Sequence, residues 1–142
     1  MSVDPRTLGW ISRALTHEMS AVQQYLAQSV LARLWGDEAL SSKLRREAVE
    51  ELGHAERLME RLIVFGVAPS AGNLPPSRLG RSVDDLLAAD RKLEVDAVRL
   101  YQEAVAHAQR MRDSDSASLL AEILAEEVEH VQEIDSLRNA NG

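Results

Sequence analysis

Residues 66–81 read GVAPSAGNLPPSRLGR, and they hold three of the four prolines and three of the seven glycines in this chain of 142 residues. Proline cannot continue a helix and glycine readily ends one, so this stretch is a loop. Helical patterns lie on both sides of it. Upstream, Asp4 and Pro5 mark a helix start. Apolar residues then recur at Leu8, Ile11, Leu15, Met19, Val22, Leu26 and Val30, the spacing of one helical face. Gly36 and Asp37 break that pattern, and Leu40, Leu44, Ala48, Leu52, Ala55, Leu58, Leu62 and Phe65 renew it. Downstream, Ser82 with Asp84 and Asp85 opens a third helix carrying Val83, Leu86, Leu87, Leu93, Ala97, Val98, Tyr101, Val105 and Ala108. A turn at 113–115 leads to a fourth, with Leu119, Leu120, Ile123, Leu124, Val128, Val131, Ile134 and Leu137.

The predicted helices cover about 5–35, 38–65, 82–112 and 115–138 of a single domain, residues 1–142. The first pair and the last pair share tight turns, so each forms an antiparallel hairpin. A 16-residue loop reaches roughly 50 Å when extended. A helix of about 27 residues is roughly 40 Å long. The loop can therefore run the length of the molecule. The fold class expected is all-α: a four-helix bundle of two antiparallel hairpins joined by a long crossover.

Composition narrows the chemistry. There is no cysteine, which excludes disulfides, iron–sulfur clusters and thiol nucleophiles. Sixteen basic residues against 23 acidic ones give a formal charge of −7, unsuited to nucleic acid. No apolar run is long enough for a membrane span, and MSVDPRTLGW is no secretory signal, so a cytoplasmic location is expected.

The chain repeats itself around six residues. Glu18 precedes Glu51 by 33 residues, and Glu94 precedes Glu127 by the same interval. Glu51 and Glu127 each open a Glu-x-x-His, ending at His54 and His130, and one offset of 76 maps the first set onto the second. Each glutamate interrupts an apolar stripe, so four carboxylates face the bundle interior. They cannot all stay ionised there without counter-charge, and no buried lysine or arginine is expected at the matching offsets. Two divalent metals solve the problem. One Glu-x-x-His on a glutamate-rich surface carries little weight. Two, each preceded by an inward-facing glutamate at one interval, define a di-iron or di-manganese carboxylate arrangement, which zinc can also enter.

Other residues read more plainly. Tyr25, seven past Glu18, is expected near the metals as a hydrogen-bond donor, and Asp90, one turn before Glu94, is a further neighbour. Tyr101 reads as core. His17 and His107 fall off the glutamate stripes and read as solvent-facing. Glu47, Glu50, Glu56, Glu60, Glu126 and Glu129 read as solvated faces, with Glu47 and Glu50 as possible transient iron stations.

With these residues in view, the sequence resembles the bacterioferritins of the ferritin-like superfamily from about residue 8 to 138. The six residues carry the resemblance, with HEMSAVQQY at 17–25, LWG at 34–36, the stretch 90–96, and EEVEH at 126–130. It implies a dinuclear iron centre on Glu18, Glu51, His54, Glu94, Glu127 and His130, with Tyr25 beside it. Glu51 and Glu127 would bridge the irons, while Glu18 with His54 and Glu94 with His130 would complete one each. The implied reaction is oxidation of Fe(II) by dioxygen or hydrogen peroxide, for iron storage in a 24-subunit cage that here would lack the family's fifth helix, since the sequence stops at Gly142. The family's haem b hangs from a methionine at the position of Leu52, so no haem is expected. A homo-oligomer, at least a dimer on the first two helices, is. Two other readings stay open: a dimeric di-metal oxidase or peroxidase that stores nothing, and a haem-free subunit that co-assembles with a haem-binding bacterioferritin.

Overall fold

The computed structural model describes residues 3–141, which form four helices: α1 (Pro5–Leu34), α2 (Glu38–Val64), α3 (Val83–Arg110) and α4 (Ser114–Asn141). Each begins at a side-chain cap. Asp4, Asp37, Ser82 and Asp113 accept from the amides of Thr7, Leu40, Asp85 and Ser116 at 3.0–3.1 Å, satisfying donors that a helix start leaves free.

The first three helices end alike. The chain turns left-handed at Gly36 (φ 85°), Gly66 (φ 78°) and Arg112 (φ 57°). The next amide then reaches back into the helix: Asp37 to Ala32 at 2.9 Å, Val67 to Leu62 at 3.0 Å and Asp113 to Ala108 at 2.9 Å. Arg112 takes a conformation usually left to glycine. The sequence gives no glycine signal there, and the predicted third helix runs two residues past the observed end. The fourth runs on to Asn141, beyond its last periodic apolar residue.

The short turns make α1 and α2 one antiparallel hairpin, α3 and α4 the other. The crossover lies lengthwise on α1. Gln23 donates to the Pro75 carbonyl and Gln28 to the Arg78 carbonyl, both at 2.9 Å, while the Arg78 amide donates to Gln24 at 3.4 Å. Further back, Gly72 (φ 72°) sits against Thr16, where a Cβ would meet the hydroxyl at 3.4 Å.

Three positions depart from the expected stripes. Leu26, Val30 and Leu52, read as inward, are 44%, 40% and 41% exposed. Gln24, Gln28 and Ser29 are buried instead. Gln28 donates to a loop carbonyl and Gln24 accepts from a loop amide, and Ser29 and Ser41 bond to each other where α1 meets α2.

The apolar core falls into two parts. One contains Ile11, Leu15, Leu58, Leu62, Tyr101, Leu120 and Ile123. The other contains Ala21, Tyr25, Leu44, Ala48 and Leu86. In sequence, Glu18, Glu51 and Glu94 fall between them on α1, α2 and α3. Among the described residues no helix is long and apolar enough to cross a membrane.

Candidate metal centre

Glu18, Glu51, Glu94 and Glu127 are all at most 1% exposed, and His54 and His130 are 5% and 6% exposed. One comes from α1, one from α3, and a Glu-x-x-His pair from each of α2 and α4. The i and i+3 spacing sets glutamate and histidine on one helical face. The six gather into two overlapping groups: Glu18, Glu51, His54 and Glu127; and Glu51, Glu94, Glu127 and His130. Within each group the donor atoms lie within 4.8 Å of one another. Glu51 and Glu127 belong to both.

Each histidine turns Nδ1 inward. His54 Nδ1 lies 3.3–3.5 Å from oxygens of Glu127, Glu18 and Glu51. His130 Nδ1 lies 3.0–3.6 Å from oxygens of Glu51, Glu127 and Glu94. The ring centroids are 6.2 Å apart. The terminal glutamates are half satisfied: Tyr25 donates to Glu94 Oε1 and Tyr101 to Glu18 Oε1, both at 2.7 Å.

The remaining donors have no hydrogen-bond partner. They are Glu18 Oε2, both oxygens of Glu51, Glu94 Oε2, Glu127 Oε1 and the Nδ1 atoms of both histidines. Buried polar atoms are rarely left so. These converge, and four carboxylates with two imidazoles are the ligand chemistry of iron, manganese or zinc. The residues therefore fit a pair of divalent ions.

Without metal, protons stand in for it. Burial would lower the His54 imidazole, but Glu127, Glu18 and Glu51 outweigh that and push it up to about 12. His130 is raised the same way, burial being outweighed by Glu127, Glu51 and Glu94. Burial, then repulsion from Glu18 and Glu94, raises Glu51 well above the carboxylate range. Glu94 rises to about 8, chiefly through burial. Glu127 goes down: burial opposes, but the imidazoles of His130 and His54 close beside it prevail.

Tyr101 is core, as expected, and does more. It is fully buried, but its hydroxyl serves Glu18 as Tyr25 serves Glu94. The signal was available, because Tyr25 and Tyr101 are also 76 residues apart. Tyr25→Phe and Tyr101→Phe should each cost about 1–3 kcal/mol, the loss of a buried bond to a carboxylate. Thermal unfolding checks this, and a Tyr101→Phe variant as stable as the parent contradicts it.

Asp90 is buried and accepts from Gln24 at 3.0 Å rather than touching one of the six. Burial pushes it up to about 7, against the pull of Gln24 and Gln28. An acid so raised contributes stability at low pH that is lost as pH climbs from about 4 to 7. Asp90→Asn should therefore raise Tm by about 5 °C at pH 8 and by clearly less at pH 5. Equal shifts at both pH values would contradict this.

The other histidines are not solvent-facing. His107 is buried and lies 2.9 Å from Asp4, tying the end of α3 to the cap of α1. His17 is half-buried and donates to the Leu93 carbonyl at 3.0 Å. Glu47, read as solvated, is half-buried between Lys43 and His130, 3.7 Å from each. Glu50, Glu56, Glu60, Glu126 and Glu129 are exposed. Above the histidines an outer cleft of about 440 Å³ opens between α2 and α4, lined by Glu50, Glu126, Glu129 and Glu133, with Arg57 at one side.

Comparison with known proteins agrees with this architecture. A sequence model described as the Ferritin-like domain matches residues 10–140, and the chain belongs to that family. Within it the chain stands with the bacterioferritins. It is 34% identical over 136 residues to a bacterioferritin of Brucella melitensis, covering 96% of this chain and 84% of that protein. A bacterioferritin of Rhodobacter capsulatus is 29% identical over the same shares. One of Mycobacterium tuberculosis is 28% identical, over 96% of this chain and 86% of its own.

Proposed function

We propose that this chain is a ferroxidase of the bacterioferritin type, taking two Fe(II) ions as substrate between its hairpins. The observation that carries the reading is the set of unpartnered donor atoms converging from all four helices. Each Fe(II) gives up one electron, and the pair reduces dioxygen to peroxide, or peroxide to water. Iron storage or detoxification is the purpose this reaction serves.

The residues divide the work. The acidic cleft over His54 and His130 attracts cations to the outer side of the two imidazoles. Glu18 with His54 and Glu94 with His130 hold one ion each. Glu51 and Glu127 are shared, which fixes the distance between the ions. Tyr25 and Tyr101 keep one oxygen of each terminal glutamate aimed away from the ion. Protons held on the cluster leave as the ions enter, so binding strengthens with rising pH. Carboxylates favour the product charge, which lowers the barrier to losing the electron. Manganese or zinc would occupy the same atoms.

Leu52 is 41% exposed on α2 and cannot ligate iron, so the chain supplies no haem ligand at that position. This favours a second reading, a haem-free subunit working beside a haem-binding one. We place the protein in the cytoplasm, as a homo-oligomer of at least two copies. Light scattering on protein exposed to air and excess Fe(II) tests the storage role. A large particle that takes up many irons per chain supports it. A small oligomer that turns over without uptake points to a non-storage oxidase or peroxidase, and one that neither oxidises nor takes up iron points to the accessory subunit.

A further inference from the structure

The two imidazoles are held from outside by a reciprocal pair of carboxylates. His54 Nε2 on α2 lies 3.0 Å from Glu126 Oε2 on α4, and His130 Nε2 on α4 donates to Glu50 Oε2 on α2 at 2.8 Å. Glu50 and Glu126 are 76 residues apart, as the histidines are, so this clasp is part of the internal repeat. A ligating histidine whose far nitrogen donates to a carboxylate is fixed in tautomer and ring orientation.

The repeat breaks one helical turn further on. Position 57 is arginine, and its counterpart 76 residues later is Glu133. Arg57 Nη1 donates at 3.3 Å to Glu126 Oε2, the same oxygen that His54 engages, and Arg57 Nη2 donates to Glu122. Glu126 is thus anchored between a guanidinium and an imidazole. Glu50 has no such anchor. Among the described residues no arginine or lysine pairs with it, its side chain is 56% exposed, and Glu47 beside it also faces His130.

We propose that Arg57 is a positioning residue that makes the two ion subsites inequivalent. Acting through Glu126, it holds His54 so that the Glu18–His54 subsite is preformed and takes the first divalent ion. The Glu94–His130 subsite, with its unanchored clasp, takes the second more weakly. The proposal rests on the two-ion reading of the cluster. An exposed ion pair contributes little to folding, so the effect of Arg57 falls on ligand geometry rather than on stability.

Anaerobic Co(II) titration of the full chain tests this, read by visible absorbance and by calorimetry. The parent should bind two ions in two steps, and His54→Gln should remove the tighter one. Arg57→Met should weaken the tighter step about 10–100-fold, the range for lost outer partners of a ligand, and spare the weaker one. Glu133→Arg should supply the missing anchor and strengthen the weaker step about tenfold. A folding fault would weaken both steps together, so the effect on one alone is the signature. If Arg57→Met does not fold, Glu133→Arg decides the matter. Equal steps in the parent, or no selective effect of either variant, overturns the proposal and leaves the two-ion site standing. A parent that binds no Co(II) overturns both.

Discussion

Glu51→Ala is expected to bring Fe(II) oxidation down to the rate in buffer, a loss of about 100-fold or more. Glu51 belongs to both donor groups, and both of its oxygens lack a hydrogen-bond partner. Removing it takes a ligand from each ion. Removing Glu94 takes a ligand from one group only, so Glu94→Ala should still bind one ion per chain. The fold should survive both changes. Losing a buried carboxylate relieves the repulsion that raises the neighbouring acids. Stopped-flow oxidation with circular dichroism on the same samples checks this. A folded Glu51→Ala variant with parental kinetics would show that the cluster is not where iron reacts.

The second large effect is on stability. At a free concentration a hundredfold above Kd, each bound ion adds about 2.7 kcal/mol. Two ions add about 5 kcal/mol, or roughly 15–20 °C in Tm for a domain of this size. Zn(II), which has no redox chemistry, is the cleanest probe, and a chelator should reverse the shift. The gain should also depend on pH. In the metal-free fold, Asp90 stands at about 7, Glu94 at about 8 and His54 at about 12. All three are raised, so the folded state binds their protons more tightly than the unfolded chain. Their stabilisation is complete below the unfolded values, near 4 for the acids and 6.5 for histidine, and is lost as pH climbs toward the folded ones. The metal-free protein should therefore lose Tm between pH 5 and 9. Glu127, held low, contributes the opposite slope only in acid. Metal and protons compete for the same atoms, so the Zn(II) increment should grow over that range. A gain that does not vary with pH would mean that zinc binds elsewhere.

Much of this was legible because the signals are local or periodic. The loop at 66–81, the caps at Asp4 and Ser82, and the six residues repeated at one offset are patterns along the chain. What escaped depends on packing. Gln24, Gln28 and Ser29 are buried because a loop and a neighbouring helix present polar partners to them, which no helical period announces. Glu50 and Glu126 adjoin Glu51 and Glu127 in sequence and so point off the inner face. Each meets a histidine of the opposite hairpin, a contact set only when α2 and α4 come together. His107 was set aside because its partner, Asp4, lies at the far end of the sequence. Tyr101 lies in the core, as its apolar surroundings suggest, and its bond to Glu18 is legible only through the 76-residue offset that pairs it with Tyr25.

The most direct test of the account is an anaerobic Fe(II) titration followed by admission of oxygen, read at the near-ultraviolet absorbance of ferric iron. Binding and fast oxidation should both saturate at two irons per chain in the parent, matching the two donor groups. No saturable binding, or oxidation no faster than in buffer alone, would contradict the assignment of this cluster as a ferroxidase centre.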